Sequence, residues 1–162
     1  MAKKIRTQAM RALDAQKIPY AIHLFPETIR DAVQVAAEIG LAPEQVFKTL
    51  VVLREDQLNA HPLLIMIPAN RELNLRQFAH EISVKAVKMA SHEQAEKLTG
   101  LKVGGISALA LLNRPFAIYL DESAQSFEQI AVSGGQRGVD LQLNVSDLIK
   151  LTQATLVQAT QS

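Results

Sequence analysis

The chain has 162 residues, 48% of them hydrophobic, and a formal net charge of +1. That much apolar material argues for a packed core and against disorder, so one compact domain over residues 1–162 is expected, and the charge excludes a binder that holds nucleic acid by charge alone. There is no Cys, which excludes a disulfide framework, a thiolate metal site and a thiol nucleophile, and the 4% of aromatic residues are too few for a row of base-stacking platforms.

Residues 1–6 are basic, but no apolar stretch follows them, and no run is long enough to span a membrane, so the chain reads as cytoplasmic. The spacing predicts a helix over 5–17, with Ile5, Ala9, Ala12 and Leu13 on one face and Pro19 at its end. Lys3, Lys4, Arg6, Arg11 and Lys17 cluster there and read as a solvated helix face. Tyr20, Ile22 and Leu24 alternate like a half-buried strand. Asp31 can cap a helix that stops at Gly40, and Pro43 suits the first turn of another short helix ending near Phe47.

Apolar runs over 49–53 and 63–67 predict two buried strands, the second closed by Pro68 and joined to the first by a polar hairpin turn over 54–60. Asn74 can cap a helix through Ala79, and residues 84–89 read as a strand. Ser91 and Gln94 form a capping box for a helix ending at Gly100. Strands are expected over 116–120 and 130–133, and a third where Val139, Leu141 and Leu143 alternate. Ser146 can cap a final amphipathic helix carrying Leu148, Ile149, Leu151 and Leu156. Adjacent short strands with interspersed helices, lacking regular βαβ alternation, predict an α+β fold with a mixed, mostly antiparallel sheet.

Four histidines, His23, His61, His80 and His92, have no metal-ligand spacing; His92-Glu93 opens like H-E-x-x-H, but residue 96 is Glu. No metal is therefore expected. Two glycine pairs stand beside serines: Gly104-Gly105 near Ser107, and Gly134-Gly135 after Ser133, with Gly138 close behind. Neither pair fits a P-loop or a dinucleotide fingerprint. Each serves equally as a turn or as a loop whose N–H groups receive a carbonyl or oxyanion. Lys48, between Phe47 and an apolar strand, is the one locally unusual cation. On the residues alone it reads as a boundary lysine reaching water.

These same segments carry a resemblance. Residues 46–52 (Val-Phe-Lys-Thr-Leu-Val-Val), 102–107 (Lys-Val-Gly-Gly-Ile-Ser) and 132–140 (Val-Ser-Gly-Gly-Gln-Arg-Gly-Val-Asp), with Pro19-Tyr20, resemble in order and spacing the YbaK/EbsC group of prolyl-tRNA synthetase-associated editing domains. The resemblance spans nearly the whole chain. It implies a curved mixed sheet with surrounding helices, and a deacylase that hydrolyses the ester joining a wrong amino acid to the tRNA 3′-terminal adenosine, without metal or organic cofactor. Mischarged tRNA is the implied partner, Cys-tRNA(Pro) the leading substrate, and prolyl-tRNA synthetase a candidate partner. A deacylase of Ala-tRNA(Pro) or of another small mischarged aminoacyl-tRNA, and a non-catalytic domain that binds aminoacyl-tRNA or a synthetase, are the competing readings.

Carried over, Lys48, Ser133 and Gly135 are the candidate catalytic residues, with Lys48 near the terminal adenosine or its phosphate. Gly104, Gly105, Ile106 and Ser107 would form one wall of the aminoacyl pocket, and Ser133, Gly134 and Gly135 the other. Tyr20 would line the same cleft, and Arg137 and Asp140, counted with the substrate-binding set, would brace the second loop. The chain departs from the family at residues 108–113, Ala-Leu-Ala-Leu-Leu-Asn, where the family often has Pro-Gly and basic residues. That leaves Arg114 as the expected positive charge beside the pocket.

Overall fold

A computed structural model describes residues 5–57 and 59–160. Lys3 and Lys4 of the basic cluster, and Leu58 in the predicted hairpin turn, lie outside the described residues. Helix α1, Gln8–Ala15, begins later than its apolar pattern suggested, because the Thr7 hydroxyl accepts the Met10 N–H and fixes the N-terminus there. It buries Ala9, Met10 and Leu13. Arg6 pairs with Asp14 at 2.9 Å, and Arg11 and Lys17 are exposed, so this part of the cluster is a solvated face as expected.

Strand β1 is Ala21–Leu24, and α2, Ala32–Ile39, runs from the Asp31 cap to Gly40, whose φ of 78° is left-handed. A single 3-10 turn, Pro43–Gln45, leads into β2, Phe47–Arg54. Strand β3, Leu63–Pro68, pairs antiparallel with β2, Phe47 opposite Pro68 and Val52 opposite Leu63, which is the predicted hairpin. Helix α3, Leu75–Glu81, starts at Asn74, and β4, Val87–Met89, covers only the end of its predicted span. Helix α4, His92–Thr99, shows both halves of the Ser91–Gln94 capping box. Strands β5 (Ala117–Asp121), β6 (Gln129–Ser133) and β7 (Val139–Asn144) follow.

The chain end differs from expectation. Helix α5, Val145–Thr152, starts after Asn144, so Ser146 lies inside it rather than capping it. Gln153 adopts φ 57° and ends the helix, and Leu156 belongs to a further strand, β8, Thr155–Val157. Residues 154–157 turn extended because Leu156 pairs with Leu120 at the edge of the sheet.

Five strands run in the order β4-β2-β3-β5-β8, with β3-β5 and β5-β8 parallel and the other pairs antiparallel. Three more form the antiparallel sheet β1-β7-β6. A parallel bridge between Val46 and Ala131 joins β6 to the head of β2, so the two sheets continue into one curved surface.

Strand parity sorts the core. Phe47, Val51, Leu64, Met66, Ile130, Val132, Val139 and Leu141 face the largest apolar cluster, with α1. The opposite face carries a second cluster where Phe78 and Ala79 of α3 meet Val52, Ile65 and Ile67, and a third where Ala36 of α2 meets Val46 and Ala131. Strand β3 is therefore buried on both sides, and each of its large side chains contributes about 1.5–3 kcal/mol. Ile22 and Leu24 stand opposite Leu141 and Val139 but remain 48% and 60% exposed. The predicted alternation has the right phase, yet β1 is the edge strand and nothing among the described residues covers these two side chains.

Candidate active site

The bridge at Val46 and Ala131 fixes what lies beside it. Two residues further along each strand stand Lys48 and Ser133, on the face opposite the main cluster. Asp140 is the cross-strand partner of Ser133, and His23 is the partner of Asp140. Four polar residues from four strands thus occupy successive positions across one face. The first three line a cleft of about 250 Å³, closed by Gly104 and Ile106 of the first glycine loop and by Val35 of α2.

Lys48 is half-buried, and its ammonium donates to the Ala69 carbonyl at 3.3 Å. No carboxylate pairs with it among the described residues, so its ammonium has no ion-pair partner at the cleft wall. Its exposure agrees with a boundary lysine, but it reaches into a cleft rather than open water. Asp140 is 7% exposed, and neither an ion pair nor a side-chain hydrogen bond engages it among the described residues. Burial pushes its carboxyl up to about 6, with His23 pulling in the opposite direction. His23 is itself held by a 2.8 Å contact to Gln142. Asp31, the other cleft acid, accepts the Gln34 N–H in capping α2.

The two glycine loops meet backbone to backbone. A Cβ on Gly105 would lie 2.8 Å from the Arg137 nitrogen, and one on Gly134 would lie 2.7 Å from a Val139 methyl. Gly104 and Gly135 have φ of 95° and 93°, which only glycine adopts without strain. The Gly105 N–H donates to Lys102 and the Gly134 N–H to Val139, so both are spent in turns. Gly135 donates to the Ser133 hydroxyl at 3.3 Å. Gly104 and Ile106 donate no backbone hydrogen bond among the described residues and line the cleft, so their N–H groups are not committed elsewhere in the fold.

Not every expected residue reaches the cleft. Tyr20 is not in its lining; its hydroxyl donates to Asp14 at 3.0 Å, and burial, then this bond, raises its pKa. Ser107 is 1% exposed, with a hydroxyl that has no partner among the described residues, and sits beneath Gly135 rather than in the wall. Gly135 and Arg137 open onto a neighbouring groove. Arg114 is tied to the Leu98 and Thr99 carbonyls and lies over Phe116, so it braces the fold away from the cleft. Residues 108–113 place Leu109 and Leu111 in the main cluster beside α1, which makes the departing segment core rather than pocket wall. Arg30, which the sequence did not single out, borders the cleft. Its only sequence signal is its place immediately before a helix cap.

Among the described residues no three His, Cys, Asp or Glu side chains are grouped to hold a metal ion, and no helix is long and apolar enough to cross a membrane.

The family model described as aminoacyl-tRNA editing domain matches residues 26–151, the stretch that builds the cleft. The chain belongs to this family of deacylases. A protein of Enterococcus faecalis, EbsC, named as a candidate Cys-tRNA(Pro)/Cys-tRNA(Cys) deacylase, is 33% identical over 99% of this chain and 98% of its own length. A proline–tRNA ligase of Shouchella clausii is 31% identical over 65% of this chain but only 18% of the ligase. Among solved structures, one described as a candidate trans-editing enzyme for prolyl tRNA synthetase superposes with a TM-score of 0.80 at 22% identity, covering 98% of this chain and 100% of that one. At that identity the likeness establishes the editing-domain fold and nothing finer.

Proposed function

We propose that this protein deacylates mischarged tRNA in trans, with Cys-tRNA(Pro) as its preferred substrate. The observation that carries the reading is the row of Lys48, Ser133 and Asp140 in one cleft under the first glycine loop. Three segments remote in sequence converge there on a space of about 250 Å³, below the size typical of pockets for drug-sized ligands and suited to a small aminoacyl group. The likeness to EbsC at 33% identity over nearly the full length supports the cysteinyl preference.

In this reading Asp140 holds the α-ammonium of the aminoacyl ester, which supplies the counter-charge its buried carboxylate lacks. Lys48 faces the negative charge at the adenosine end, and the N–H groups of Gly104 and Ile106 receive the carbonyl oxygen as it becomes an oxyanion. The cysteinyl thiol attacks its own carbonyl carbon. The bond to the 3′-oxygen breaks, the thiol proton passes to that oxygen to leave a free 3′-hydroxyl, and water then opens the resulting thiolactone to cysteine. The protein contributes position and charge complementarity.

A deacylation panel tests this directly: tRNA(Pro) carrying Cys, Ala or Ser, and cognate Pro-tRNA(Pro). Fastest release of Cys is expected. Fastest release of Ala would move the protein to an alanine-editing role, and turnover of none would overturn the deacylase reading.

A further inference from the structure

The cleft does not end at its rim. A second hollow of about 530 Å³ adjoins it, lined by Glu27, Thr28, Arg30, Lys102, Gln136 and Arg137 together with Gly100 at the end of α4 and Gly135 of the second loop. The two hollows share Arg30, and each draws on the same three chain segments: the stretch before α2, the first glycine loop and the second.

The charges are arranged around Gly104. A Cβ at that position would lie 3.4 Å from the Arg137 Cγ and 3.8 Å from the Arg30 Cγ, so both arginine stems flank the glycine. Lys102, two residues earlier, is exposed. Three cations therefore face one carboxylate, Glu27, in a protein of net charge +1. They are held differently. The Arg137 Nε donates to the Val103 carbonyl at 2.7 Å, and its head lies 3.9 Å from Glu96. The Val103 N–H, bound to Glu96 at 2.8 Å, keeps that carboxyl below its usual range. Arg30 and Lys102 make neither an ion pair nor a side-chain hydrogen bond among the described residues. Arg137 is thus a fixed donor whose remaining N–H groups are presented to the groove, flanked by two cations that form no ion pair among the described residues, although Lys102 lies within the field of Glu96.

We propose that this groove is the path of the single-stranded 3′ end of the tRNA, with Arg30, Lys102 and Arg137 contacting the phosphates that precede the terminal adenosine. The inference rests on the deacylase reading and deepens it by assigning the RNA contact. An ester seated beside Lys48 and Asp140 delivers its polynucleotide across Arg30, the residue shared by both hollows. The lack of aromatic side chains in the groove fits backbone contacts rather than base stacking.

Three cations on single-stranded RNA predict a slope of log affinity against log salt of about −2, at about −0.7 per phosphate neutralised. The test measures binding of uncharged tRNA(Pro), and of a CCA trinucleotide, to the full protein by anisotropy across a salt series. Arg30→Glu and Lys102→Glu should each weaken binding tenfold or more, while Arg30→Lys retains most of it. In kinetics the double charge reversal should narrow the advantage of Cys-tRNA(Pro) over 3′-O-cysteinyl-adenosine, which has no phosphate, by tenfold or more in kcat/KM. Unchanged affinity in both variants, or an unchanged advantage, would overturn the groove assignment. If the wild-type protein cleaved neither ester, the deacylase reading would fall, and the anisotropy series would still decide the groove.

Discussion

Replacing Asp140 by Asn separates what this carboxylate costs the fold from what it does for the substrate. The carboxyl titrates near 3.8 when unperturbed and is pushed to about 6 in the folded protein. At about 1.4 kcal/mol per pH unit, keeping it ionised costs the native state up to about 3 kcal/mol, and relaxation around the cleft reduces this to about 1–2 kcal/mol. The sign follows from proton binding. Between pH 4 and 6 the folded state keeps a proton that the unfolded chain has released, so wild-type stability falls as pH rises through this window. The penalty is absent below pH 4 and complete above pH 6. The asparagine amide does not titrate. Asp140→Asn should therefore match wild type near pH 4 and exceed it by about 1–2 kcal/mol at pH 7.5, raising Tm by about 2–8 °C. Urea unfolding of both proteins from pH 4 to 8, followed by far-UV circular dichroism, isolates this group, since Asp56 and the other shifted carboxylates cancel in the difference. The same variant should lose most of its kcat/KM on mischarged tRNA, as expected where a site is kept at the expense of stability. A stability difference that stays constant with pH, or an Asn variant less stable at pH 7.5, would refute the argument.

Lys48→Ala should stay folded, because its one hydrogen bond is worth about 0.5–1.5 kcal/mol, and should lose deacylation at least a hundredfold; full turnover by the folded variant would remove Lys48 from the site. Gly105→Ala drives a methyl to within 2.8 Å of the Arg137 backbone and should destabilise by about 1–3 kcal/mol, a loss visible as a lower Tm. Ser-tRNA(Pro) should be cleaved much more slowly than Cys-tRNA(Pro), since serine matches cysteine closely in size but its hydroxyl is a far poorer nucleophile; equal rates would exclude assistance by the thiol.

Local chemistry made much of the fold legible. Asp31, Asn74 and the Ser91–Gln94 pair cap the helices expected of them, because a cap is a bond between residues three apart. The β2-β3 hairpin follows for the same reason, as its partners are neighbours in sequence. Strand β8 was hidden because its partner, β5, lies across α5 and the β6-β7 pair, and amphipathic spacing there is equally compatible with a helix. The motifs brought Lys48, Gly104, Ser133 and Asp140 to one cleft, but the depth of Asp140 was not readable, since an acid in an alternating strand shows nothing of the loop that covers it. Tyr20 fitted the motif but belongs with Asp14, and Arg30 fitted none. Positive charge near the site was expected from Arg114, whereas Arg30, Lys102 and Arg137 supply it from segments that only the fold brings together.

The single bridge between Val46 and Ala131 has a consequence for how this chain tolerates insertion and deletion. It is the register mark from which Lys48 and Ser133 are each counted two residues onward. One residue added or removed between mark and side chain turns Lys48 toward the main apolar cluster and puts Phe47 or Thr49 in the position that Lys48 now holds. Length variation here should therefore arise in steps of two, or only in the turns beyond the strands. A designer wishing to graft the site onto another curved sheet must reproduce that even count before any side chain is chosen.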